Sequence, residues 1–265
     1  MPGLPADDRI TGVAGGPLAD PVAETRRLIA LAGQQGLLLR ALGGVGILLQ
    51  APAARPRLPR RVKDIDLAAV QGTSKATAAL LGQAGYQGEE MFNALRGSRR
   101  LLFHDLANGR HLDVFVGEFA MCHTIPLTAR LDRDELTVPR EELLLTKLQI
   151  VELTGNDQGD IYNLLFHHEV GDGDGAPIGA AFIAGLCARD WGLWRTCQLN
   201  IERSLASLAG SGLAPDEQQT VATRLETLRD RIDAEPKSMK WRLRSRAGDR
   251  VRWYDEPEEE DPAGR

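Results

Sequence analysis

Two aspartates stand two residues apart in Lys63-Asp64-Ile65-Asp66-Leu67, inside an apolar run that continues through Ala68, Ala69 and Val70. On a strand, positions i and i+2 share a face, so Asp64 and Asp66 point one way while Ile65 and Leu67 enter the core. Side-by-side carboxylates repel and burial raises at least one pKa, so such a pair calls for a cation; hard oxygen donors suit magnesium. A third carboxylate, Asp113, lies 47 positions beyond Asp66, on a strand predicted over 111–116. It shares a face with His111 and Phe115, away from Leu112, Val114 and Val116. Three aspartates so distributed suit two-metal phosphoryl transfer, in which two Mg²⁺ ions roughly 3.5–4 Å apart clamp the attacking and leaving oxygens. That chemistry rests on positioning and charge neutralisation and needs no serine, cysteine or histidine nucleophile.

The elements around these residues are legible from periodicity. A strand over 100–104 pairs with 111–116 through a turn containing Ala107-Asn108-Gly109, a strong hairpin signal. Upstream, the apolar run 37–42 ends in Gly43-Gly44, and a helix begins at Val45. Strand, glycine pair and helix together let backbone amides approach a phosphate, although alone the pair also reads as an ordinary tight turn. The segment 51–63 carries Arg55, Arg57, Arg60, Arg61 and Lys63 among prolines that forbid a helix interior. It reads as a loop, either a solvated surface or a contact for nucleotide phosphates or a polyanionic acceptor. Asp20-Pro21 starts a helix over 21–34, and Ser74 caps another over 74–84.

From Leu136 onward the pattern is helical. A helix begins at Pro139-Arg140-Glu141-Glu142 and carries Lys147 among leucines, and another starts at 156–160 and includes Asp160. The run 171–177 is a flexible linker rather than a calcium loop, because the remaining ligands are missing. Helices follow over 178–209 and 215–234. His167 and His168, adjacent on a helix, diverge by about 100° and make a poor metal pair. Over 241–253 apolar and basic residues alternate about a glycine, predicting a hairpin with Trp241 and Trp253 on the face opposite the arginines. That placement favours docking on the body over nucleic-acid binding, the other use of such a segment. The chain thus divides into a flexible tail over 1–20, a mixed α/β domain over 21–135, a helical domain over 136–235, and the hairpin with an acidic tail over 236–265.

Composition narrows the class. With 265 residues, 43% hydrophobic and 26% charged, the chain can bury an ordinary core in one or two domains. A net charge of −5 argues against coating nucleic acid over the whole surface, while leaving room for a local basic patch. Three scattered cysteines offer neither a disulfide framework nor a zinc spacing. With no leader-like or membrane-spanning apolar run, the expected location is the cytoplasm, without membrane partners.

These features together resemble the nucleotidyltransferase fold, nearest the AbiEii-like group that includes bacterial toxins. The resemblance covers about residues 25–168 and rests on Gly43-Gly44, Asp64-Ile65-Asp66, Asp113, the lysine-bearing helix around Lys147, and the helix with Asp160. Two departures stand out: the 19 residues between Gly44 and Asp64 make the Pro/Arg loop an insertion, and no basic residue separates Lys147 from Asp160. The resemblance implies an α+β fold with a mixed sheet flanked by helices and a helical C-terminal half. It implies a magnesium-dependent transfer of a nucleoside monophosphate from an NTP to a hydroxyl on an RNA end, a protein or a small molecule, as a toxin with a cognate antitoxin. Asp64, Asp66 and Asp113 would hold the metal and carry catalysis; Gly43, Gly44, Lys63, Lys147 and Asp160 would serve the nucleotide. A catalytically silent module that binds nucleotide or a partner, and an RNA-binding protein without chemistry, are the alternative readings.

Overall fold

A computed structural model describes residues 15–172 and 178–256. Most of the N-terminal tail, the centre of the linker and the acidic end lie outside these residues. The chain runs α1 (Pro21–Gln34), β1 (Leu39–Leu42), α2 (Gly43–Gln50), β2 (Ile65–Ala69), α3 (Ser74–Gln83), β3 (Gln87–Gly88), α4 (Glu90–Arg96), β4 (Arg100–Asp105) and β5 (Arg110–Val116). After two short strands, β6 (Glu118–Ala120) and β7 (Thr124–Pro126), come α5 (Arg140–Leu148) and α6 (Gly155–His167). A two-residue pair, β8 (Val170–Gly171) and β9 (Ile178–Gly179), leads into α7 (Ala180–Cys187), α8 (Trp191–Ser207), α9 (Pro215–Ala234) and α10 (Met239–Ser245).

The architecture is α+β. Five strands form a mixed sheet in the order β1-β2-β5-β4-β3, with β2 and β5 parallel and the other pairings antiparallel. Strand alternation gives the sheet two different faces. Ile65, Leu67 and Ala69 join Leu112, Val114 and Val116 in a core closed by Leu28, Leu31, Leu80 and Leu81 of α1 and α3. The opposite face contributes Leu42, Ala68 and Phe115 to a second core, shared with Leu143, Leu144 and Leu148 of α5 and with α6 to α9. Each such leucine removed from water stabilises the fold by about 1.5–3 kcal/mol before entropy is counted. The helical half is therefore packed directly on the sheet face that carries Asp66 and Asp113.

Several expectations change on folding. Residues 17–20 are not loose: Leu18 N donates to Glu24 Oε2 at 2.9 Å, and the Leu18 carbonyl accepts from Arg110 Nη2 at 2.7 Å. The helix beginning at Ser74 is preceded by Thr73 as its N-cap residue, without a side-chain cap bond. The single helix over 178–209 is two, because Asp190 accepts from the amides of Gly192 and Leu193 and starts α8 afresh. The hairpin over 241–253 is instead α10 followed by a short turn of 3₁₀ helix at Gly248–Arg250. Ser238 caps α10 by accepting from Trp241 N at 3.2 Å, and lysine, arginine, methionine and leucine are good helix formers, so local capping overrides the period-two pattern. Docking of the rings does occur. Trp253 meets Trp191 edge-on at 6.0 Å, Trp241 meets Trp194 at 5.2 Å, and the Arg244 guanidinium lies 4.5 Å from the Trp191 ring centre.

Candidate active site

The parallel register of β2 and β5 sets Asp66 directly beside Asp113. Asp64, expected on the strand, lies one residue before β2 and is exposed; its Oδ1 accepts from the His111 amide at 3.2 Å, fixing it at the mouth of the same strand pair. Burial, followed by the neighbouring Asp113 carboxylate, pushes the Asp66 pKa up to about 7, against the opposing pull of Lys147. The like-charge strain foreseen from the sequence is thus centred on Asp66.

Antiparallel pairing places Leu42 opposite Asp66, so the turn from β1 into α2 passes over this carboxylate. Gly43 has φ +62°, and a Cβ on it would stand 1.9 Å from Asp66 Oδ2. Only glycine allows both the left-handed turn and the close approach. At Gly44 a Cβ would come within 2.7 Å of Arg60 Nη2. Both glycines of the pair therefore face the site, the first against a carboxylate and the second against a guanidinium.

Lys147 and Asp160 also come together. Lys147 Nζ lies 2.9 Å from Asp157 Oδ1 and 3.0 Å from Asp160 Oδ2, the second contact being ionic rather than a directed hydrogen bond. Burial alone would lower the lysine pKa, yet Asp160 and Asp157 outweigh it and hold the ammonium above the ordinary lysine value. Asp157 serves twice, since its other oxygen accepts from Thr154 N and Oγ1 in the capping box of α6. Lys63, by contrast, is simply exposed, just ahead of Asp64.

Two arginines complete the neighbourhood, and neither role is readable from local sequence. Arg60 reaches from the Pro/Arg loop to Asp160 Oδ1 at 2.8 Å, supplying the cation missing between Lys147 and Asp160. The loop is clamped for this by Asn163, whose side chain accepts from Leu58 N at 2.7 Å and donates to Leu58 O at 3.2 Å. Arg57 is taken by Glu217 at 2.7 Å, whereas Arg55 and Arg61 stay exposed. Arg100 on β4 donates through Nε to Asp113 Oδ1 at 2.7 Å and lies over the Phe115 ring at 5.3 Å. Arg100 and Leu102 share a face of β4, and Leu102 is the partner of Asp113, so strand alternation is the only sequence signal that aims it there.

Among the described residues, no group of three or more aspartate, glutamate, histidine or cysteine side chains converges to hold a metal ion. The nearest oxygen donors to one another are Asp66 and Asp113, paired across β2 and β5, with Asp64 at the mouth of the same strands. Among the described residues no helix is long and apolar enough to cross a membrane. In comparisons with known proteins, no family model and no curated protein matches the chain.

Proposed function

We propose that this chain is a magnesium-dependent nucleotidyltransferase that moves a nucleoside monophosphate from an NTP to an acceptor hydroxyl. The observation that supports this best is the pairing of Asp66 with Asp113 beneath the Gly43 turn. Asp64, Asp66 and Asp113 would hold magnesium, whose chemistry here is to neutralise the charge of the triphosphate. The backbone amides of the Gly43-Gly44 turn, which Asp66 and Arg60 approach closely, would receive the triphosphate. Asp113 accepts the proton of the acceptor hydroxyl as its oxygen bonds to the α-phosphorus and pyrophosphate departs. Lys147, held by Asp157 and Asp160, stabilises the ionised form of Asp66 through its field rather than by direct contact with phosphate. The acceptor is an RNA end, a protein side chain or a small molecule, and a toxin role with a cognate antitoxin accompanies this reading.

The test is label transfer. Purified protein with each α-labelled NTP, Mg²⁺ and either total RNA or cell lysate should label an acceptor, and Asp66→Ala should abolish the label. Absence of any Asp66-dependent transfer sinks the proposal. A second reading, a non-catalytic module that binds nucleotide, is favoured by the Arg100–Asp113 pair, which commits the third aspartate to a protein cation. It predicts saturable NTP binding without turnover.

A further inference from the structure

Two residues along β5 from Asp113, on the same face of the sheet, Phe115 lines a pocket of about 310 Å³. Arg96, Arg99 and Arg100 share its lining with Asp255 and Glu256 of the C-terminal segment. That segment is held in place: Asp255 N donates to the Cys122 carbonyl at 3.1 Å, and Glu256 pairs with Arg252 at 2.6 Å. Arg99 also meets Glu118 at 2.7 Å while remaining largely exposed. Three guanidiniums lining one opening supply the positive charge a phosphate group needs, and arginine forks are well suited to its oxygens.

Arg100 belongs to both places. Its Nε bonds Asp113, and its guanidinium lies over Phe115, which also lines the pocket. We propose that the pocket binds a phosphate-bearing ligand, with Asp255 and Glu256 as built-in competitors, and that its occupation draws Arg100 off Asp113 and opens that aspartate to a cation. The first half stands on the pocket alone; the second rests on the metal reading of Asp64, Asp66 and Asp113. A protein cation on Asp113 then guards the metal position until phosphate arrives, so cation and phosphate bind cooperatively.

Two titrations on the full chain separate the halves. In metal-free buffer, inorganic phosphate is titrated calorimetrically. Glu256→Gln should tighten binding about fivefold by removing a like charge from the pocket lining. The Arg96→Gln/Arg99→Gln double variant, altered at exposed positions, should weaken it about tenfold. No binding at millimolar phosphate, or equal affinity in all three proteins, overturns the pocket. Second, Mn²⁺ binding is followed by the loss of the free-ion paramagnetic resonance signal, with and without phosphate. Phosphate should tighten Mn²⁺ about fivefold in the parent chain, while Arg100→Gln should bind Mn²⁺ equally well in either buffer. Mn²⁺ binding in the parent that ignores phosphate overturns the Arg100 link. Failure of Mn²⁺ to bind either protein overturns the metal reading and the link together, leaving the pocket to be judged by the first titration.

Discussion

A Cβ on Gly43 would stand 1.9 Å from Oδ2 of Asp66, at a backbone φ of +62°. Glycine and carboxylate are thus coupled, and Gly43→Ala cannot be accommodated unless the turn or Asp66 shifts. The expected result is a stability loss of about 1–3 kcal/mol from left-handed strain and steric conflict. Asp66-dependent label transfer should be lost even where circular dichroism shows a folded chain. Full retention of activity in Gly43→Ala would show that the turn does not set the position of Asp66.

The cluster of Lys147, Asp160, Arg60 and Asp157 holds two cations and two carboxylates largely out of water. Removing Asp160, which is fully buried, leaves Lys147 and Arg60 without their shared partner. Asp160→Ala should cost about 3–5 kcal/mol in chemical denaturation, mostly as the penalty of uncompensated charge. A double-mutant cycle with Arg60→Ala should show coupling of about 1 kcal/mol or more. Additive losses would mean that the Pro/Arg loop is not fastened through this pair.

Glu142 on α5 is fully buried, accepts from Arg130 Nε at 2.5 Å, and leaves its second oxygen without a hydrogen-bond partner. Burial pushes its pKa from the ordinary 4.5 up to about 7, despite Arg130. Below pH 4.5 the carboxyl is protonated in both states and contributes no pH dependence. From there to about pH 7 the unfolded chain gives up the proton first, so stability falls as pH rises; above 7 the cost is fully present. Urea unfolding at pH 5 and pH 8 should show a decline that Glu142→Gln reduces by up to about 3 kcal/mol. An identical pH dependence in the two proteins would contradict this.

Trp253 fastens the C-terminal segment to α8: its Nε1 donates to Thr196 Oγ1 at 3.0 Å, and its ring abuts Trp191. Trp253→Ala should loosen residues 253–256 locally, because Trp253 belongs to neither hydrophobic core. Hydrogen exchange should rise at the Asp255 amide, now bonded to the Cys122 carbonyl, with the global unfolding midpoint little changed. Loss of protection throughout α8 and α9 would instead make the segment part of the cooperative core.

Much of the frame was readable before folding. Helix α1 matches its expected bounds, the hairpin of β4 and β5 forms around Asn108-Gly109, and α9 spans the expected 215–234. These elements carry strong local signals: an aspartate cap with proline behind it, an Asn-Gly turn, and a long amphipathic repeat. The segment over 241–253 misled because basic and apolar residues alternate there while the cap at Ser238 and four helix-forming side chains favour a helix.

For the candidate site, residue type and alternation were enough to single out Asp66 and Asp113, since period two puts each on the face of its own strand opposite the core-facing leucines and valines. Spacing could not supply register, and it is the parallel pairing of β2 with β5 that makes the two carboxylates neighbours and raises the pKa of one. Nor could it show which cations answer them. Arg60 reaches Asp160 across 100 positions, and Arg100 reaches Asp113 across a hairpin. Ion pairs of this kind depend on how far chain segments approach one another in three dimensions: the packing of the helical half against the Pro/Arg loop brings Asp160 to Arg60, and the register of β4 on β5 brings Arg100 to Asp113.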